Sequence, residues 1–236
     1  MTNTNDTIVA ISTPPGEGGV GIVRLSGSDA LSIASRLFRS SRAKTLDAPG
    51  RQLFHGHIVG EAGDVIDEVL CVVMRAPHSY TREDVIEIQG HGGAGPLNAI
   101  MEAALSAGAR LATAGEFTMR AFVHRRIDLV QAEAVIDQIQ ARTRANLQAA
   151  NAAASGALSR QLQGMRETLL GLLARVEAVV DFPEDDLPDL IDTPLLEEAI
   201  AARETMATMI EKSDAGRLLR DGATLAITGR PNVGKS

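Results

Sequence analysis

The last eight residues, GRPNVGKS (229–236), match the pattern G-x-x-x-x-G-K-[ST]. Glycines in that pattern let successive backbone N–H groups turn inward around a β-phosphate. Lys235 reaches β- and γ-phosphate oxygens, and Ser236 offers its hydroxyl to Mg2+. The apolar run TLAIT (224–228) in front reads as the buried strand such a loop needs. The helix whose N-terminus completes a phosphate site would have to follow Ser236. No N-K-x-D segment and no second Mg2+-binding aspartate stands after the loop. The stretch therefore reads as the opening of a nucleotide-binding domain, and the chain as it stands is expected to carry no catalytic residue and not to hydrolyse nucleotide.

Other candidates have plainer readings. His55 and His57 alternate on one strand face, but no third metal ligand lies near them, so they read as solvated strand histidines. Cys71, between Leu70 and Val72, reads as a buried inert thiol. Glu184–Asp186 reads as a solvated loop flanked by prolines. Two stretches carry more. APHSYTREDVIEIQGHGG (76–93) ends a strand in His-Gly-Gly, where a backbone can approach a ligand closely. TAGEFTMRAFVHRRIDL (113–129) gathers Arg120, His124, Arg125 and Arg126 into a local cationic cluster, a candidate patch for an anionic partner.

The elements that must position these residues follow from composition. The 236 residues are 44% hydrophobic and 22% charged, enough for a sizeable core. Net charge is −7, so nucleic acid would have to be met by a local patch rather than the whole surface. One cysteine excludes a disulfide framework, no run of 18 apolar residues would span a membrane, and MTNTND lacks the basic and apolar regions of a secretory signal. A cytoplasmic protein is expected. Fifteen of 22 glycines fall in residues 1–118, whereas residues 97–182 hold no proline and 131–180 hold twelve alanines. The first composition predicts turns and strands, the second helices.

Strands are predicted at 8–12 and 20–25, a hairpin at 53–59 and 65–74, and a strand through Val85, Ile86 and Ile88. Helices are predicted from a Ser28 cap to residue 38 and over 96–107. The fold class expected is α+β followed by an α-helical domain and the start of an α/β nucleotide domain, with divisions 1–118, 119–217 and 218–236. Ile136, Ile139, Leu147, Ala150 and Ala154 share one helical period, as do Leu158, Leu162, Met165, Leu169, Leu173, Val176 and Val180. A third helix is predicted over 193–212, capped by Thr193 or Asp192.

Taken in order, DTIVAISTPPGEGGVGIVRLSG (6–27), PHSYTREDVIEIQGHGG, GEFTMRAF, IDLVQAEAV, DFPEDD and LLRDGATLAITGRPNVGKS resemble the MnmE (TrmE) family of tRNA-modification GTPases over nearly the whole chain. The resemblance implies an N-terminal domain similar to the folate-binding domain of glycine-cleavage aminomethyltransferases, which dimerises. It also implies a helical domain into which a Ras-like G domain is inserted after about residue 218. It further implies a tetrahydrofolate derivative (5-formyl- or 5,10-methylene-tetrahydrofolate) as one-carbon source, and an MnmG-type flavoprotein partner. GTP hydrolysis assisted by K+ and Mg2+ would drive addition of an aminomethyl-type group to the wobble uridine of tRNA.

Carried over residue by residue, the folate contacts are Arg24, Glu87 and Arg126. A carboxylate suits the amino and ring N–H groups of a pterin, and guanidinium groups suit the anionic tail and formyl oxygen. In the loop, Asn232, Val233, Gly234, Lys235 and Ser236 bind nucleotide, with Asn232 on K+ and Ser236 on Mg2+. The chain departs from the family pattern where Arg82 replaces the glycine of SYTGED, where Ala114 replaces the proline of PGEF, and where His124, Arg125 and Arg126 replace Asn-Gly-Lys. Two alternatives of other classes stand beside this reading: a non-catalytic folate-binding and dimerisation module, and an unrelated P-loop ATPase.

Overall fold

The computed structural model describes residues 6–41, 45–46, 52–181 and 193–221, together with residues 226, 228, 229 and 234. They fall into two compact units, Met1–Ile127 and Asp128–Ser236. The composition change at residue 118 lies inside a helix, and the division itself comes at Ile127.

The first unit is α+β. Its strands are β1 (Ile8–Ile11), β2 (Gly18–Ser26), β3 (Phe38–Ser40), β4 (Gln52–Val59), β5 (Val65–Met74), β6 (Val85–Gly92) and β7 (Arg110–Leu111), with helices α1 (Ala30–Leu37), α2 (Ala94–Ser106) and α3 (Glu116–Val123). They form one seven-stranded sheet in the order β3-β4-β5-β6-β2-β1-β7. Every neighbouring pair is antiparallel except β1 and β7.

Strand periodicity sorts the side chains between two faces. Along β5, Asp67, Val69, Cys71 and Val73 are buried while Glu68, Leu70, Val72 and Met74 alternate with them. The buried face packs against α1 and α2. Ile33, Ala34 and Leu37 of α1 and Leu97, Ile100 and Ala104 of α2 close over Val23, Leu25, Phe54, Cys71, Ile86 and Ile88. Each buried branched aliphatic contributes roughly 1.5–3 kcal/mol, so this face holds the unit together. The other face keeps Arg24 and Glu87, and at its margins Val20 and Leu53 are exposed.

Three details differ from the sequence reading. Helix α1 starts one residue later than the Ser28 cap implies. Its N-cap is Asp29, whose side chain makes no capping bond. The entry is held instead by the Asp29 N–H donating to Thr7 Oγ1 at 2.9 Å. Gly27, at φ 139°, allows that approach, since a Cβ there would stand 2.6 Å from Thr7 Oγ1. Strands β3 and β7 are only three and two residues long, too short to leave a period in the sequence.

The second unit is helical: α4 (Leu129–Gln140), α5 (Arg144–Ala154), α6 (Ala157–Asp181) and α7 (Thr193–Asp221). The period through Ile136 and Ala154 reads as one face, but the backbone breaks it into α4 and α5. Ala141 leaves the helical region at ψ 117°, and the Thr143 hydroxyl accepts the Asn146 N–H to cap a new helix. Gly156, at φ 74°, turns α5 into α6. Helix α7 runs nine residues beyond the 212 expected.

The stripe on α6 is regular, yet Leu162, Leu169, Leu173 and Val180 stay exposed among the described residues. Helices α6 and α7 border an open groove of about 830 Å³ lined by Met165, Thr168, Ala201, Ala202, Thr205 and Met209. Asp192, the acidic loop at 184–186 and most of TLAIT lie outside the described residues. Ala226 and Thr228 are exposed and outside any element. No helix among the described residues is long and apolar enough to cross a membrane.

Helix α4 opens on a reciprocal capping box. The Asp128 carboxylate accepts the Gln131 N–H at 2.9 Å, and the Gln131 side chain accepts the Asp128 N–H at 3.0 Å. Burial pulls the Asp128 carboxyl upward, but hydrogen bonds from the Gln131 and Val130 N–H groups and the Ser159 side chain together hold it below its ordinary value. Asp128→Ala should therefore cost about 1 kcal/mol of helical-unit stability, read as a lower urea midpoint in the helical circular dichroism signal. An unchanged midpoint would mean that the box contributes nothing.

Candidate functional site

Strand register builds the centre of the site. Arg24 on β2 pairs directly with Glu87 on β6, and the two side chains leave the sheet on its open face. The Arg24 Nε–H donates to Glu87 Oε1 at 2.8 Å, and Nη2 lies 2.7 Å from the same oxygen in an ion pair. Glu87 Oε2 takes no hydrogen bond among the described residues. Arg24 and Glu87 side chains keep 26% and 18% of their surface exposed, so a ligand can reach both.

Aromatic rings frame the pair. The Arg24 guanidinium lies 5.9 Å from the Tyr80 ring centroid and 5.6 Å from that of Phe117. Arg126 lies over Tyr80 at 4.7 Å. The Tyr80 hydroxyl and Thr118 Oγ1 share a hydrogen bond of 2.9 Å, tying the β5–β6 loop to α3. The structure thus brings Arg24 and Arg126 over one ring, with Glu87 held on Arg24, although the three are far apart in sequence. Tyr80, Phe117 and Thr118 were not singled out by spacing. Tyr80 is the only tyrosine of the chain, and its place in PHSYTRED is the one signal that could have found it.

A buried ionic network sets α3 in place. Arg120 has no exposed side-chain surface. It donates to the Asp6 carboxylate and to the Asp6 carbonyl at 2.8 Å, to Glu83 Oε1 at 3.0 Å, and to Glu116 Oε1 at 3.1 Å. Arg110 bridges Asp6 and Glu116 from the other side, at 2.6 Å to each. Ser26 and Thr81 hydroxyls meet at 2.6 Å, and Ser26 also donates to Glu83.

The Arg110 hydrogen bond, working against burial, holds Glu116 down at about 2, and it likewise lowers Asp6. Burial opposes the charge on Arg120, but Asp6, Glu83 and Glu116 more than offset it and raise its pKa. Arg120 therefore drops out of the cationic cluster expected of 120–126. Its charge is neutralised inside the protein, and it can meet no RNA phosphate.

The remaining candidates resolve locally. Gly92 is required by a close approach, but to β2 rather than to a ligand: a Cβ there would lie 2.6 Å from Gly18 O. His91 Nδ1 meets Asp67 at 2.6 Å, and that hydrogen bond raises its pKa. His55 contacts Glu68 at 2.7 Å, and its ring centre is 6.5 Å from that of His57. Cys71 is fully buried, which pushes its thiol up to about 12. Among the described residues no group of three His, Cys, Asp or Glu could hold a metal ion. Asn232, Val233, Lys235 and Ser236 lie outside the described residues. Gly234 has φ 78°, a conformation that favours glycine.

Residues 7–126 match the family described as GTP-binding protein TrmE N-terminus, and residues 129–226 match the MnmE helical domain. The chain belongs to the MnmE (TrmE) family. A tRNA modification GTPase MnmE from Chloroflexus aurantiacus is 52% identical over 237 residues, covering 98% of this chain and 50% of that protein. Proteins of the same description from Geobacter sulfurreducens and Geobacillus thermodenitrificans are 50% and 48% identical, again over 98% of this chain. The chain spans about half the length of these relatives.

Two outcomes test the network. Arg120→Met leaves three carboxylates without their shared cation, and should cost roughly 3–5 kcal/mol, seen as a lowered melting temperature of the first unit. Glu116 is ionised in the fold well below its ordinary value of 4.5. Its contribution, on the order of 3 kcal/mol, is present above about pH 4.5 and is lost as pH falls towards about 2. Acid titration followed by circular dichroism should place loss of the first unit in that window, and Glu116→Gln should flatten it. A variant with the same acid profile would remove Glu116 from the account.

Proposed function

We propose that the first unit binds a tetrahydrofolate derivative, 5-formyl- or 5,10-methylene-tetrahydrofolate, at Arg24, Glu87 and Arg126. The convergence of Arg24 and Arg126 on Tyr80, with Glu87 paired to Arg24, carries the reading. Glu87 Oε2 is placed to accept an N–H from a pterin edge, while Oε1 is shared with Arg24. Arg24 both orients that carboxylate and offers a cation to an electron-rich carbonyl of the ligand. Tyr80 and Phe117 supply flat apolar surface beside the ring. Arg126, exposed at the edge, suits the anionic tail.

The parent protein is a cytoplasmic GTPase of tRNA modification, a reading supported by the description its relatives carry. It works with an MnmG-type flavoprotein to add a one-carbon-derived aminomethyl-type group to the wobble uridine of tRNA. Asn232, Val233, Gly234, Lys235 and Ser236 hold GTP there, with K+ on Asn232 and Mg2+ on Ser236. Charge neutralisation by a K+ beside the phosphates would act as an arginine finger does. The first unit also carries the homodimer. Exposed Val20 and Leu53 on the open sheet face support this, being 63% and 59% accessible.

Calorimetric titration with 5-formyl-tetrahydrofolate should give saturable binding. Arg24→Ala and Glu87→Gln should each weaken it by roughly ten- to a hundredfold, the value of a charged hydrogen bond. A folded protein that binds no folate, or variants that bind as the parent does, would overturn the assignment.

A further inference from the structure

Two turns at the outer edge of this site hold arginine where the backbone favours glycine. Arg82 has φ 62° and Arg125 has φ 57°. For residues with a Cβ this left-handed region is strained. The two turns are bonded to each other. Arg82 Nη1 donates to the His124 carbonyl at 3.1 Å, and the His124 Nδ1–H donates to the Thr81 carbonyl at 2.6 Å. Each turn also carries a residue of the site, Tyr80 in one and Arg126 in the other, in contact across 4.7 Å.

The charges here are unmatched. Arg82, Arg125 and Arg126 are exposed, and none forms an ion pair among the described residues. Neighbouring cations are engaged: Arg24 by Glu87, Arg75 by Asp84, and Arg110 and Arg120 by Asp6 and Glu116. Of the acids along these segments, Asp84, Glu87 and Glu116 are those partners, Glu83 is held by Arg120, and Asp128 caps α4. A protein of net charge −7 thus presents three guanidinium groups with no carboxylate partner among the described residues, beside a site that already holds a carboxylate, a cation and an aromatic ring. A merely solvated arginine gains nothing from a strained backbone position, whereas one aimed at an anion does.

We infer that Arg82, Arg125 and Arg126 form a rim that docks a string of carboxylates extending from the ligand, namely the oligo-γ-glutamyl tail of a polyglutamylated folate. The inference rests on the folate reading above. Arg126 takes the first carboxylate of the tail, and Arg82 and Arg125 take those further out. The contacts lie at the solvent edge, so they are salt-sensitive and individually modest. Their sum grows with tail length.

The test compares monoglutamyl and pentaglutamyl forms of 5-formyl-tetrahydrofolate on the chain and on an Arg82→Gly/Arg125→Gly double variant. Glycine relaxes both left-handed turns, so the variant should melt no lower than the parent. The parent should bind the pentaglutamyl form roughly tenfold more tightly at low ionic strength, with the advantage shrinking as salt is added. The double variant should lose that advantage while its monoglutamyl affinity stays unchanged. Equal affinity of the parent for both forms would overturn the rim and leave the folate site standing. A tail preference that survives in the double variant would overturn the role of Arg82 and Arg125. Equal tail affinities together with loss of tRNA binding in the variant would assign the arginines to RNA phosphates instead. Failure of the folded parent to bind either form would sink the folate reading and the rim with it.

Discussion

The Arg120 guanidinium is enclosed on every side and bonded to carboxylates from three separate segments, the approach to β1, the loop before β6 and the first turn of α3. Buried ion networks of this kind do not add much net stability over an apolar core. What they do is make wrong arrangements expensive, because removing any member strands charge away from water. Here the arrangement specified is the seat of α3. Phe117 and Thr118 ride on that helix and His124–Arg126 follow it, so the aromatic frame, the Tyr80 tether and the cationic edge all inherit their positions from one buried cation.

The first unit divides its work between the faces of a single sheet. On one side, aliphatic side chains of β2, β4, β5 and β6 close against α1 and α2 and exclude water. On the other, the same strands present polar groups that the core does not need. Arg24 and Glu87 stand opposite each other because of strand register, and a slip of one residue would send both into the aliphatic layer. The centre of the site thus lies on strands and its edge on the turns at 80–82 and 124–126, which are bonded to each other.

The helical unit is built differently. Its caps are well formed, with Asp128 and Thr143 satisfying helix starts and Gly156 turning the chain, and among the described residues its buried apolar side chains are Ala134, Ala150, Leu172 and Ala202. The family match extends across this unit, while the relatives run to about twice the present length.

Much of this was legible in the residues. Alternation in 53–59 and 65–74 located the long hairpin, and the lack of proline with abundant alanine after residue 97 announced helices. Ordered motifs such as GIVRLSG and DVIEIQGHGG placed the chain beside its family and nominated Arg24, Glu87 and Arg126. These signals are local, since period and composition are set by which face each short segment must bury.

Other features had no local signature. Two- and three-residue edge strands are too brief to show a period, and the break at Ala141 is hidden in a run whose apolar spacing continues across it. Arg120 and Arg126 look alike in the sequence, both basic residues within a few positions of each other. Only the fold separates them, enclosing one with carboxylates brought from more than a hundred and from about forty residues away and leaving the other over an aromatic ring at the surface. Sequence therefore determined the longer strands and helices and the family to which the chain belongs. Tertiary structure alone decided which charges were neutralised and which remained for a ligand, because that depends on partners distant along the chain.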